Sequence, residues 1–220
     1  RMLSGIEEVR WDSTLGELVI QGDIIRLAGF ANASGVKQAI DLGQTRVRIV
    51  AQRLTLESDL TVRGLVLDVS ERLTLEGKLL RPDGSTIDLA QAIPADRTPQ
   101  VVSTKTVAGA LSAEALAKLA SDNQGQGLQL KPADPEAPIS IGGKGGAGLS
   151  LDPSKVASIP VLVVGSTGGS NPVALGGSGS SVAMSTPLVI QAQGDGGKVR
   201  VGGKIRGTST EVQGSGCLLY

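Results

Sequence analysis

RLTLESDL (53–60) and RLTLEGKL (72–79) lie 19 residues apart and agree at six of eight positions. The agreement falls on the residues that would pack; the differences, Ser58-Asp59 against Gly77-Lys78, fall where a turn belongs. Apolar and polar residues alternate on both sides of the octets, from Val47 and Ile49 to Leu65, Leu67 and Val69. A period of two marks strands with one buried face. An offset of 19 residues suits a coil of short strands that returns the chain above its own start. Leu54 would then lie over Leu73 and Leu56 over Leu75, ~4.8 Å apart. The same stacking sets Arg53 beside Arg72 and Glu57 beside Glu76. Like charges there cost roughly a few tenths of a kcal/mol, which opposite charges such as Glu71 can offset.

The expected fold is therefore all-β: a parallel β-solenoid, or β-helix, with an antiparallel β-sandwich as the alternative for short, evenly spaced strands. ELVIQGDI (17–24) and KVRVGGKI (198–205) fit the template of the octets and extend it toward both ends as a repeat. Composition agrees. Trp11, Phe30 and Tyr220 are the only aromatics, so the core must come from Leu, Val, Ile and Ala, which suits thin stacked layers.

Three stretches form one continuous domain in this reading. Residues 1–80 are solenoid coils. Residues 81–137 are an irregular excursion, with Pro82, Pro94, Pro99, Pro132 and Pro135 inside it. It carries one short helix, LSAEALAKLA (111–120), capped by Ser112, with Leu111, Ala115, Leu119 and Leu116 as its apolar face. Residues 138–220 are coils with glycine-rich turns and strand nuclei at Ile139/Ile141, Leu149/Leu151, Val161/Val163, Val173/Leu175, Leu188/Ile190 and Val199/Val201.

The stretch VRIVAQRLTLESDLTVRGLVLDVSERLTLEGKL (47–79), with the glycine-rich turns that follow, resembles parallel β-helix segments of large bacterial surface and secreted proteins, the haemagglutinin-like adhesins among them. The resemblance covers 46–80 and 138–207. It implies an extracellular stalk or binding surface and carries over no functional residue.

The chemistry-bearing residues point the same way. Histidine is absent, which removes Ser-His-Asp and Cys-His catalysis and histidine-ligated metals. Cys217 stands alone, so no internal disulfide or cysteine zinc cluster can form. GSTGGS (165–170) and GGKGGAG (142–148) lack the phosphate-loop arrangement. GGSGSS (176–181) and GGKGGA (142–147) lack the aspartate of calcium-binding β-rolls. Asp59, Asp68, Asp83 and Asp88 are the carboxylates that a polysaccharide-active β-helix could use, but their spacing singles out no pair. Lys144, Lys198 and Lys204, each after Gly-Gly, with Arg200 and Arg206 nearby, could form a basic strip for an acidic glycan; protection of a corner or edge is the favoured role. The terminal CLLY departs from a prenylation box and reads as a cut point, and the opening RML reads as the start of an excised or processed segment.

The expected function is a non-enzymatic structural or adhesive module of a larger bacterial surface, secreted or fibre-forming protein. No catalytic, cofactor or metal residue is assigned and no cofactor is expected. Partners would be other copies or domains of the assembly, or a surface glycan. Lys plus Arg equals Asp plus Glu, 21 each, so nothing steers the chain to nucleic acid. No apolar run approaches the ~20 residues of a membrane span, so membrane insertion is not expected. The expected location is extracellular or at the cell surface, with the cytoplasm as the alternative. A self-polymerising scaffold like the bactofilins and a polysaccharide-active β-helix enzyme are the alternative functions.

Overall fold

In the computed structural model the chain is mostly β, and residues 3–34, 36–123, 125–143, 148–153, 159–166, 169–177, 181–184, 186–192, 198–202, 204–207, 210–214 and 217–219 are described. It divides into two compact units, Arg1–Val102 and Ser103–Tyr220.

The first unit contains β1 (Leu3–Asp12), β2 (Glu17–Leu27), β3 (Ile40–Asp41), β4 (Arg46–Leu56), β5 (Leu60–Thr61), β6 (Gly64–Leu75), β7 (Leu79–Leu80) and a single-turn helix, α1 (Leu89–Ala92). The long strands lie in the order β1-β2-β4-β6, and β3-β5-β7 form a small parallel sheet. The octets pair as their spacing demands: Leu54 faces Leu73, Thr55 faces Thr74 and Leu56 faces Leu75 in parallel register. Leu54, Leu56, Leu60, Leu73 and Leu79 are all buried in one aliphatic core with Ile49, Val62 and Leu67. Arg53 does face Arg72, and Glu71 answers it with an ion pair to Arg53 at 3.0 Å.

The class drawn from that register does not hold. The long sheet is mixed, and no β-solenoid is formed. β1 runs antiparallel to β2, while the other strand pairings are parallel, so an antiparallel sandwich is not formed either. The cause is the turn at 13–16. The Asp12 carboxylate accepts hydrogen bonds from the backbone N–H of Thr14 and Leu15, and Gly16 N–H closes on the Asp12 carbonyl at 2.8 Å. That hairpin reverses the chain, whereas a coil would carry it round. ELVIQGDI also misses its assigned place: it lies against 46–53, and it is Ile25-Arg26-Leu27 that faces Leu54-Thr55-Leu56.

β8 (Gln100–Val107) runs across the boundary between the units. The second unit continues with α2 (Ala113–Asp122), β9 (Gly127–Pro132), β10 (Ile139–Ile141), β11 (Leu149–Leu151), β12 (Leu162–Ser166), β13 (Val173–Leu175), β14 (Ser181–Met184), β15 (Leu188–Ala192), β16 (Val199–Val201), β17 (Lys204–Gly207), β18 (Thr210–Gly214) and β19 (Cys217–Leu219). Its strands pair in parallel as β9-β12-β15-β18, β11-β10-β13-β16-β19 and β14-β17. Each expected strand nucleus falls on or beside a strand. The stretch 81–137 is less irregular than its prolines suggest, since β8 and β9 lie in it. β9 escapes a period-two reading because five of its six residues are buried.

α2 starts where expected. The Ser112 side chain accepts the N–H of Ala115 at 3.1 Å. Leu116 and Ala120 are its buried residues, with Leu111 and Leu119 partly buried against the same core; Ala115 is exposed.

Candidate functional site

A densely bonded charged centre lies in the first unit, where β2 leaves the sheet. Arg26 is the penultimate residue of β2, and Glu57 follows β4 directly. Arg26 Nε and Nη2 donate to the two Glu57 carboxylate oxygens at 2.5 and 2.8 Å. Lys37 Nζ donates to the same carboxylate. The Glu57 side chain is 1% exposed, so two cations compensate its loss of water. The hydrogen bond to Glu57 holds the Arg26 guanidinium above its ordinary pKa, against the opposing effect of burial. A carboxylate held this way acts as a clamp.

The clamp fastens a loop. Residues 29–34 and 36–38 double back, with Ala31 opposite Lys37 and Gln38 N–H bonded to the Phe30 carbonyl at 2.7 Å. The Asn32 side chain accepts the N–H of Ser34 and of Val36, each at 3.0 Å, which tightens the tip. At the base, Gly29 N–H donates to Ser58 Oγ at 2.7 Å. The loop thus presents Phe30 and Val36 to solvent on a fixed mount. Phe30 is 69% exposed. Beside it lies a mainly apolar cleft of about 260 Å³, lined by Leu3, Ala28, Gly29, Phe30, Gln38, Ala39 and Ile40. Trp11, near the end of β1, is 58% exposed. Trp11 lies at the opposite end of β1 from Leu3 and so apart from this cleft. The cleft can take an apolar or aromatic group, and its lining offers no nucleophilic side chain.

The four aspartates singled out from the sequence are in the first unit and do separate jobs. Asp59 accepts the Lys78 N–H at 2.7 Å, tying the turn of one octet to the next. Asp68 pairs with Arg97 at 2.8 Å and raises the arginine pKa. Asp83 accepts from Ser85 N–H and Oγ in a tight turn. Asp88 caps α1 through Ala90 N–H. Of the proposed basic strip, Lys198 and Arg206 are exposed. Lys144 and the side chains of Arg200, Lys204 and Cys217 lie outside the described residues, as do parts of the glycine-rich stretches 142–148, 165–170 and 176–181. Among the described residues no three acidic or cysteine side chains gather as a metal site would require.

Sequence reasoning missed both polar centres. Arg26 and Lys37 lie far from Glu57 in sequence, and only the strand register brings them together. In the second unit, Gln129 Nε2 donates to the Gly165 carbonyl at 2.8 Å and to Gln191 Oε1 at 3.1 Å, while Thr104 Oγ1 donates to Gln129 Oε1 at 2.8 Å. Its signal was a glutamine set in each of two apolar runs, GLQL (127–130) and LVIQA (188–192).

Compared with protein-family models, curated proteins and solved structures, the chain matches none of them. No helix among the described residues is long and apolar enough to cross a membrane.

Proposed function

We propose that the chain is a non-enzymatic structural and adhesive module of a larger assembly, at the cell surface or secreted, that meets its partner through the first unit. The observation that carries this reading is the placement of the aromatic rings. Trp11 and Phe30 are two of only three aromatics in 220 residues, and both are displayed to solvent. Large rings are the most effective core fillers and also the commonest anchors of binding surfaces. Among the described residues the core is aliphatic, and Trp11 and Phe30 stand outside it. The exposed large apolar side chains among the described residues, Leu3, Val9, Trp11, Leu15, Ile24, Phe30 and Val36, all fall within residues 3–36. Of the charges nearby, Arg26, Lys37 and Glu57 are engaged with one another and hold the Phe30 loop in place.

The test coats beads with the chain and measures bead clustering and retention on bacterial cells and on immobilised glycans. A parallel assay seeks turnover of the same glycans, with and without calcium. Clustering or retention that is lost in Trp11→Ser/Phe30→Ser supports the module. Adhesion indifferent to both changes, or saturable turnover abolished by one Asp→Asn substitution, overturns it.

A further inference from the structure

We infer that β1 is a self-pairing edge through which two copies of the chain join antiparallel, with Val9 on the two-fold axis. The inference deepens the adhesive-module reading and rests on it, naming a second copy as the partner. β1 ends its sheet, and among the described residues no strand pairs with its outer edge. Val9 and Trp11 face Ile20 and Leu18 across the β1–β2 ladder, and Leu18 and Ile20 pack against the core. Val9 and Trp11 therefore project on the core side of the sheet, yet both are more than half exposed. The strand offers unpaired backbone groups and an uncovered apolar strip together, which is the template another strand uses.

Symmetry narrows the register. Two identical antiparallel strands related by a two-fold must place some residue opposite its own copy. Centring on Glu7, Glu8 or Arg10 sets like charges face to face, which is destabilising. Centring on Ile6 uses the part of β1 where register shifts interrupt the ladder, between Ser4 and Glu8. Centring on Trp11 runs out of strand, since β1 ends at Asp12. Centring on Val9 sets Val9 against Val9 and Glu8 against Arg10 twice, once on each side of the axis. In the single chain Arg10 lies 3.8 Å from both Glu8 and Asp12, too loosely held to be withdrawn from a partner. Edge strands usually block such pairing with charge; the order Glu-Val-Arg instead complements itself when reversed.

Sedimentation equilibrium on the full 220-residue chain, with Cys217→Ser to remove the native thiol, should show a concentration-dependent dimer. Glu8→Arg or Arg10→Glu alone should weaken it by about tenfold or more, because each turns two cross-strand attractions into repulsions. The double exchange Glu8→Arg/Arg10→Glu should restore it to within about threefold. In the same background Val9→Cys should cross-link into a covalent dimer on mild oxidation, since directly opposed Cβ atoms lie ~4.5–5.5 Å apart; Glu7→Cys should not. Val9 is exposed, so this variant reports even where a charge reversal fails to fold. A monomer at all concentrations, single reversals without effect, or equal cross-linking at positions 7 and 9 would overturn the inference. Beads that still cling to cells or glycans through Phe30 while the chain stays monomeric remove the self-pairing and leave the module reading intact.

Discussion

Glu57 is surrounded so closely that its value must be structural. An ionised carboxylate removed from water demands compensation, and Arg26 supplies it with two parallel N–H groups while Lys37 adds a third donor. Glu57→Gln keeps the shape and leaves both cations facing a neutral amide. Because Arg26 and Lys37 each keep about a quarter of their side-chain surface exposed, the loss should be about 2–3 kcal/mol, below that of a wholly buried pair. Urea denaturation checks it: the midpoint should fall with the slope unchanged. Lys37→Met keeps the aliphatic stem and the Arg26 bridge, so it should cost only about 1 kcal/mol. Asp83 is the contrasting case, fully exposed in its turn. Hydrogen bonds from Ser85 Oγ and Ser85 N–H hold its carboxyl below the ordinary aspartate value. A depressed folded value means that its small contribution is present above the ordinary range and is lost as pH falls through the lower one. The Asp83 carboxyl resonance should therefore titrate low, and Ser85→Ala should move it up.

At the level of elements, two glycines show why strands stack where they do. Gly77 replaces the serine of the first octet because a Cβ there would lie 2.1 Å from the Ser58 carbonyl oxygen. Gly165 in β12 has φ near 94°, and a Cβ would meet the Gln191 carbonyl oxygen at 2.1 Å. Gly165→Ala should therefore cost about 3 kcal/mol or more. Gln129→Leu matches the size but strips the Gly165 carbonyl and Thr104 Oγ1 of a buried partner, for about 2–3 kcal/mol. Both losses are read from urea midpoints: a change under about 0.5 kcal/mol for Gln129→Leu would show that the Thr104–Gln129–Gln191 network is not buried as described, and one that small for Gly165→Ala that the chain does not approach the Gln191 carbonyl so closely. The register of the octets was legible because leucines spaced by two must share a face and an offset of 19 sets them side by side. The parallel direction of the octet pair followed from the same offset, but the reversal of β1 was not legible, since alternation has the same period in parallel and antiparallel pairs. The signal for reversal was local, in Asp12 and Gly16, and easily read as an ordinary turn. ELVIQGDI misled because its apolar spacing fits any half-buried strand. Arg26, Lys37 and Glu57 carried no shared motif, so their meeting could follow only from the pairing of β2 with β4.

For the molecule as a whole, the separation of aliphatic core from aromatic surface has a consequence that one measurement can read. Trp11 is the chain's single tryptophan, and the described core holds no aromatic ring. Indole emission therefore reports the β1 surface and hardly at all the packing of the interior. In dilute native chain it should be solvent-like and open to acrylamide quenching, and urea should shift it little although circular dichroism shows full unfolding. Raising the concentration toward self-association should move the emission to shorter wavelength and slow the quenching, because an antiparallel β1 partner covers the strip that includes Trp11. Glu8→Arg should move that concentration dependence about tenfold or more higher while leaving the dilute spectrum unchanged, and the charge exchange with Arg10→Glu should bring it back. A native emission already blue-shifted and protected at the lowest concentration would mean that Trp11 is covered within one copy. The aromatics would then belong to the fold, and the apolar surface of residues 3–36 would lose its claim as the place where the molecule meets its partner.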